Sequence, residues 1–464
     1  MSNPSTKNTK KSRRSVWAPG ISSAPAWRCW GRSDTVLLFL SGVMVFSCLA
    51  VAAEADLRRA VPQLVTLGGL MSLCTVLWLF FSRRARWRGW LPVVLCSALL
   101  LRLLFVGRSP ELSDDLYRYV WDGLQLLSGH NPYAVAPADV QVASAAEAAL
   151  QPLINHPQLV TLYPPLAQGL FALAGGSVTG WKLLAVAFDF GNCLLLVALL
   201  RALQRPVLGV VLYAWQPLAI IESAASAHVD VTAVFFLLLA LLLARNAQSL
   251  FLTFSALSLA GAVLVKVLPV LVLPLFLIPL DTQRRIRFLL IFLIVSLVAC
   301  LLFWPELRNG LSTLGLYTRH WEFSGFLFRQ LREGFGSGDH ARLLLGALLS
   351  AGLLWIGLRL RSVPSWPAQV RCMAVLLLLF LLLTPTLHPW YALYLCALLP
   401  LVDGALLAAG MALSWSVLLS YQVVALYAAS GQWCESSRLA AYVFSAPVSA
   451  LILSSALRRT RRKI

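Results

Sequence analysis

Long, uninterrupted apolar runs constrain this chain more than any other feature of its sequence. A helix needs roughly 17–25 apolar residues to cross about 30 Å of hydrocarbon, or fewer where protein shields its ends. Fourteen candidate spans meet or approach this length: 35–53, 61–81, 91–106, 181–200, 206–221, 229–244, 249–265, 267–280, 286–303, 343–360, 373–387, 390–402, 405–421 and 439–457. Only 12% of the residues are charged, about half the usual share in a soluble globule. The sequence therefore predicts an all-α, polytopic transmembrane helical bundle of about 12–14 spans.

The formal charge of +19 comes from basic residues that flank the apolar runs. They precede the first run, separate the second from the third and close the chain: Lys7, Lys10, Lys11, Arg13, Arg14, Arg83, Arg84, Arg86, Arg88, Arg458, Arg459, Arg461, Arg462 and Lys463. Basic residues in this position retain a loop in the cytoplasm, so we predict membrane orientation and not nucleic-acid binding. All of the basic clusters fall on the cytoplasmic side only if residues 166–175 do not cross the membrane and instead lie at its outer interface.

This orientation predicts the organisation of the whole chain. Residues 1–33 form a disordered, basic cytoplasmic arm, and residues 34–460 form one transmembrane domain. The first run starts at Thr35, behind that arm, and is expected to be a retained anchor and not a cleaved signal. Two external loops follow, at 107–180 and 304–342, and the first is expected to carry short interfacial helices.

The first external loop contains the densest group of ionisable residues, Ser113-Asp114-Asp115-Leu116-Tyr117-Arg118-Tyr119-Val120-Trp121-Asp122-Gly123. In a helix Asp115, Tyr119 and Asp122 share one face, with Asp114 and Arg118 on the neighbouring one. Two adjacent carboxylates with an arginine one turn away suit a general base that accepts a proton from a hydroxyl. An interfacial helix with solvated charges explains the same residues equally well.

Further ionisable residues recur at the outer ends of later spans, namely His228, Asp230, Lys266 and His388. Such residues at membrane depth are costly, and this favours a functional role. Taken singly, a histidine of this kind is more often a satisfied structural residue, so the convergence of all four on one side carries the prediction. Neither a Cys-x-x-Cys pair nor a Cys/His metal spacing is present, and we expect neither a metal nor a cofactor.

Together with neighbouring strings, these residues resemble the GT-C superfamily of integral membrane glycosyltransferases, and most of all its bacterial polyprenyl-phosphate-mannose-dependent branch. The matching strings are residues 113–123, Gly129-His130-Asn131-Pro132-Tyr133, Tyr163-Pro164-Pro165-Leu166-Ala167-Gln168, Trp215-Gln216-Pro217-Leu218, His228-Val229-Asp230 and His388-Pro389-Trp390-Tyr391. They run in family order from about residue 105 to 400. Each string is weak alone, and the set is fairly specific.

The resemblance implies transfer of a hexose, with mannose as the expected sugar, from a polyprenyl-phosphate donor to a glycan or glycolipid hydroxyl. It places the chain in a bacterial inner membrane, among lipids, with the active site facing the periplasm or cell exterior. Asp114 is expected to be the catalytic base, with Asp115 assisting. The expected contacts to the donor phosphate and substrate are made by Arg118, His228, Asp230, Lys266 and His388.

Two other functions remain open. A lipid-linked polysaccharide polymerase or ligase is favoured by the arginines of the second external loop, Arg319, Arg329 and Arg332. A lipid flippase or transporter is favoured by Asp189, the one clear mid-span carboxylate, although no internal repeat accompanies it.

Overall fold

The computed structural model describes residues 30–246 and 248–461. Within these ranges the chain is all-α, and the two β-bridges, which join Phe323 and Ser324 to Thr386, extend into no strand. The predicted fold class is confirmed. Most of the predicted arm, residues 1–29, lies outside the described residues, and Arg32 already starts the first helix.

The helices of the described chain range from 4 to 25 residues in length. The first half forms α1 (Arg32–Ala53), α2 (Val61–Ser82), α3 (Trp90–Leu103), α4 (Asp115–Leu127), α5 (Ala145–Leu150), α6 (Pro165–Leu173), α7 (Val178–Ala202), α8 (Val211–Ala214), α9 (Pro217–Ile220), α10 (Asp230–Leu243) and α11 (Ser249–Val265). The second half forms α12 (Leu273–Leu277), α13 (Thr282–Leu301), α14 (Leu307–His320), α15 (Phe326–Phe335), α16 (Gly338–Ser362), α17 (Trp366–Leu383), α18 (Leu393–Leu398), α19 (Gly404–Ser416), α20 (Gln422–Ser430) and α21 (Ser437–Arg461). Single 3₁₀ turns occupy Pro137–Asp139, Gln151–Leu153, Val207–Val210, Leu268–Val272, Pro389–Ala392, Leu399–Leu401 and Val417–Tyr421, and a π-turn occupies Ile221–Ala225.

Seven helices of the described ranges are long and apolar enough to cross a membrane unaided: Arg32–Ala53, Val61–Ser82, Val178–Ala202, Gly338–Ser362, Trp366–Leu383, Gly404–Ser430 and Ser437–Arg458. Even the shortest, with 18 residues, is about 27 Å long at about 1.5 Å per residue. Large apolar side chains such as Phe39, Phe46 and Leu343 are exposed on their outer faces. Lipid solvates such faces better than water does, and the chain is a multi-pass membrane protein.

The other predicted spans also fold as helices, but as single helices none of them is both long enough and apolar enough to cross a membrane unaided. Counting one bent pair, Val207–Ala214 with Pro217–Ala225, raises the number of spans in the described chain to eight. The shorter apolar helices have 10–17 residues, and α13 has 20 residues with three arginines in its first turns. The prediction of about 12–14 spans requires these helices to cross with their ends shielded by neighbours, and stays a prediction.

The bent pair places irregular backbone inside the protein. Pro217 has no N–H to continue the helix, and the two halves meet at an angle of 63°. The π-turn Ile221–Ala225 follows directly and is buried throughout. Non-helical backbone at membrane depth is tolerated where protein surrounds it, as it does here.

The predicted first external loop, residues 107–180, folds back onto the bundle through α4 and α6. A Cβ on Gly123 would lie 2.5 Å from the carbonyl oxygen of Phe171, so only glycine permits this approach. The rings of Tyr119 and Phe171 stack with their centroids 4.8 Å apart. Helix α6 has nine residues and is about 14 Å long, too short to cross. The short helices expected in this loop are present, and their packing turns the start of α4 toward the membrane helices.

Candidate functional site

Asp115, the first residue of α4, lies at the centre of a polar cluster between the first loop and the bundle. Its Oδ1 accepts a hydrogen bond of 2.8 Å from the amide of Asn155, and the Tyr163 hydroxyl lies 3.5 Å from its Oδ2. Burial acts to raise the pKa of the Asp115 carboxyl, but the nearby Lys266 ammonium and the hydrogen bond from the Asn155 amide act to lower it, and the result lies below the usual value. The site therefore holds an ionised, partly accessible carboxylate.

Asp114 occupies a different environment from its neighbour. It precedes α4 at the N-cap, is exposed, and makes no side-chain capping bond. Among the described residues its carboxylate accepts no hydrogen bond. The structure thus brings Asp115 into the cluster and leaves Asp114 at the surface, whereas the sequence favoured Asp114 as the base.

His228 connects Asp115 to a second, fully buried carboxylate. Its Nδ1 lies 2.7 Å from Oε2 of Glu222, and its Nε2 lies 3.1 Å from Oγ of Ser113 and 4.0 Å from Oδ2 of Asp115. The other oxygen of Glu222 accepts a hydrogen bond from the Tyr421 hydroxyl. Both His228 and Glu222 are completely buried.

The backbone between Glu222 and His228 holds this pair in place. The backbone N–H of His228 donates to the carbonyl of Glu222 at 2.8 Å. Ala227 adopts a left-handed φ of 51°, a conformation unfavourable for a residue with a Cβ, and its carbonyl accepts from the Trp181 indole at 2.7 Å. Backbone strain of this kind clusters at functional sites, where the surroundings maintain it.

Lys266 supplies the cation of the cluster. It directly follows α11, and its Nζ lies 3.3 Å from Oδ2 of Asp230, the first residue of α10. The Tyr394 hydroxyl donates to the other oxygen of Asp230 at 3.1 Å. The ammonium also lies 5.1 Å from the ring centroid of Tyr163 and 5.8 Å from that of Tyr391, within cation–π range. Because α11 ends and α10 begins here, the cluster lies at one end of both helices.

A column of stacked rings forms one wall of the site. Trp390 stacks on His228 with centroids 3.8 Å apart and on His388 with centroids 4.3 Å apart, and Phe323 stacks on the far face of His388 at 4.6 Å. Burial lowers the pKa of His388 to about 3. His388 is therefore uncharged at pH 7 and extends the stacked column, and its expected contact with the donor stays a prediction.

Arg118 lies outside the cluster and shapes the loop beside it. Its guanidinium donates to the carbonyls of His156 at 3.2 Å and Leu159 at 2.8 Å. His156 has a left-handed φ of 46°, and its neighbour Asn155 is the residue that bonds to Asp115. Arg118 thus supports the position of Asn155, and within the described residues it forms no hydrogen bond or ion pair with the Asp115 carboxylate.

Of the residues selected from sequence, the fold gathers Asp115, His228, Asp230, Lys266 and His388, and leaves Asp114 and Arg118 outside. Sequence reasoning gave no role to four further members of the cluster, Asn155, Tyr163, Glu222 and Trp390. Tyr163 and Trp390 belong to strings that resemble the family, and Glu222 is a carboxylate within an apolar segment, which is itself a signal. Asn155 has no distinguishing local pattern apart from the turn formed with His156 and Pro157.

The residues that favour the other functions are largely engaged in ion pairs. Asp189 forms a fully buried ion pair with Arg102 and also accepts from Tyr213, which leaves its carboxylate closed to a transported substrate. In the second external loop Arg329 pairs with Glu435, and Arg332 pairs with Glu322.

No group of three or more His, Cys, Asp or Glu side chains within the described ranges is arranged to hold a metal ion. The expectation that the site works without a metal stays a prediction. The carboxylate can accept a proton and the ammonium can stabilise an anion.

Comparison with known proteins finds no matching family model, no matching curated protein and no matching solved structure. The function must therefore be argued from the geometry of the cluster and from the resemblance of its motifs.

Proposed function

We propose that this protein is a membrane glycosyltransferase that moves a hexose, with mannose as the first candidate, from a polyprenyl-phosphate donor to a hydroxyl of a glycan or glycolipid. The observation that carries the proposal is that one cluster at the ends of membrane helices holds an ionised, partly accessible carboxylate, Asp115, and an ammonium, Lys266, which is ion-paired with Asp230. Glycosyl transfer from a lipid phosphate needs one group of each charge: a base for the acceptor and a cation for the leaving group.

In the proposed reaction Asp115 accepts the proton of the acceptor hydroxyl. The hydroxyl oxygen forms a bond to the anomeric carbon of the hexose, while the bond from that carbon to the phosphate oxygen breaks. The polyprenyl phosphate leaves with the bonding electron pair, and Lys266 stabilises its negative charge. Lys266 is ion-paired with Asp230. The donor phosphate would therefore share the ammonium with the Asp230 carboxylate or displace that carboxylate from it.

The position of the cluster supports a lipid-linked donor. Asp230 begins α10 and Lys266 follows the end of α11, two apolar helices that pack against each other. A donor whose tail lies in the bilayer presents its phosphate where such helices end. The basic residues that flank the spans favour the outer side of a bacterial inner membrane for this end.

The two neighbouring aspartates provide a matched test. We expect Asp115→Asn to lower hexose transfer by about 10²- to 10⁴-fold, the usual contribution of a positioned base, and Asp114→Asn to change it less than about threefold. Purified full-length protein in proteoliposomes would receive polyprenyl-phosphate hexose and a glycolipid acceptor. Product and released polyprenyl phosphate would be measured by mass spectrometry. Equal activity of the Asp115→Asn variant and the wild type would reject the assignment, and lipid movement without released polyprenyl phosphate would favour a flippase.

A further inference from the structure

The transfer chemistry proposed above leaves one feature of the cluster unexplained, the buried carboxylate of Glu222. Its two oxygens accept from Nδ1 of His228 and from the Tyr421 hydroxyl. Among the described residues no lysine or arginine lies within ion-pair distance of it. A carboxylate buried without a permanent cation is costly, and this cost favours a role for the group.

The hydrogen bonds of Ser113 and Glu222 together determine which nitrogen of His228 carries the proton. Because a carboxylate only accepts, the 2.7 Å contact requires the hydrogen on Nδ1. Ser113 Oγ already accepts the backbone N–H of Asp115 at 3.3 Å, so its own hydrogen is free to point to Nε2 of His228 at 3.1 Å. Nε2 is then an acceptor, and it faces the Asp115 carboxylate.

The imidazole of His228 is also held mechanically. Trp390 covers one face with its centroid 3.8 Å away, Glu222 holds one edge, and the backbone N–H is bonded to the Glu222 carbonyl at 2.8 Å. The 4.0 Å between Nε2 and Oδ2 of Asp115 exceeds a hydrogen bond by about 1 Å. A small rotation of the partly exposed Asp115 side chain is sufficient to close that gap.

We infer that Glu222 is a positioning residue that fixes His228 as the proton acceptor for the base Asp115, an inference that rests on the proposed function. Asp115 takes the proton of the acceptor hydroxyl and passes it to Nε2 of His228, which becomes an imidazolium, while the Ser113 hydroxyl rotates its hydrogen away and accepts the new Nε2–H. Glu222 stabilises that cation through the Nδ1–H bond, as the carboxylate of a Ser-His-Asp triad does. Asp115 returns to its ionised form, and the imidazolium later gives its proton to water.

Substitution of Glu222 tests this role directly. Glu222→Gln keeps the shape and an acceptor oxygen for Nδ1–H but removes the charge, so we expect kcat to fall about 10- to 100-fold while KM for the lipid donor stays within about threefold. Glu147→Gln is the matched control. It makes the same change at another buried carboxylate, which accepts a hydrogen bond from Gln125 outside the cluster, and should leave kcat within about threefold. A Glu222→Gln enzyme with wild-type kcat would overturn the inference.

A second measurement needs no substrate. The chain has six histidines, and nitrogen-15 labelling of histidine with a His228→Gln variant for assignment identifies the resonances of His228. At neutral pH we expect the wild type to carry the hydrogen on Nδ1, and Glu222→Leu, which removes the acceptor, to shift it to Nε2. A wild-type imidazole protonated only on Nε2 would refute the inference, even if Glu222→Gln does not fold. A wild type that transfers no hexose would instead count against the proposed function, because the nitrogen signature is read separately.

Discussion

The buried ion pair between Arg102 in α3 and Asp189 in α7 allows a sharp test of the scaffold behind the site. Both side chains are completely buried. Tyr213 also donates to Asp189, and Arg102 donates to the carbonyls of Ala98 at 2.9 Å and Ala214 at 2.8 Å. The isosteric change Asp189→Asn removes one charge and leaves the guanidinium buried without its counter-ion.

The expected cost follows from that burial. Breaking a buried ion pair by removing one partner costs about 3–5 kcal/mol. The two carbonyl bonds of Arg102 keep part of the guanidinium satisfied, so we expect the lower end, about 3 kcal/mol. The unfolding entropy of about 2.1 cal/mol/K per residue gives a shift of about 1 °C per kcal/mol for a chain of 464 residues, so the melting temperature should fall by about 3 °C. The double variant Arg102→Gln/Asp189→Asn has no buried charge and should be about 2 kcal/mol more stable than the sum of the single changes predicts.

Thermal unfolding of the full chain in detergent would measure these differences. Asp403→Asn is a suitable control, because Asp403 pairs with Arg205, Arg371 and Arg458 at the surface, where each such pair contributes about 1 kcal/mol or less. A fall of less than about 1 °C for Asp189→Asn, or strictly additive effects in the double variant, would refute the structural role of the pair.

Two further predictions concern Lys266 and Asp122. Lys266→Met should lower kcat for hexose transfer about 10²- to 10³-fold by removing the cation that stabilises the leaving phosphate, and a variant within threefold of wild type would exclude that role. Burial raises the pKa of Asp122 from 3.8 to about 6, so between these pH values the folded protein holds a proton that the unfolded chain has lost. Stability should therefore fall as pH rises through this window, by on the order of 3 kcal/mol in total. Asp122→Asn should flatten the dependence of melting temperature on pH, and an unchanged slope would contradict this assignment.

The positions of most helices were predictable, because a long apolar run is stable in lipid only as a helix. Each of the fourteen predicted spans contains helix in the structure, including the broken one at Pro217, where the missing N–H is a local property. The number that cross is harder to predict, because a helix such as Trp90–Leu103 can cross only if neighbours shield its ends.

The choice between Asp114 and Asp115 shows where sequence reasoning stops. Adjacent residues of a helix point about 100° apart, so only one of them can face the bundle. The start of α4 and its rotation make that choice, and both depend on packing: Tyr119 stacks on Phe171, and Gly123 lies against the Phe171 backbone. No pattern within residues 113–123 contains that information.

By itself the sequence determined that the chain is a helical membrane protein and which segments carry ionisable residues at the ends of its spans. Only the tertiary structure decided which of those residues meet, because the partners are far apart along the chain: Asn155 lies 40 residues from Asp115, and Tyr421 lies 199 residues from Glu222. The pattern of apolar residues indicates which helix faces contact lipid or the protein interior. Side-chain hydrogen bonds between helices depend instead on how the helices are rotated relative to one another, and the packing of the whole bundle determines that rotation.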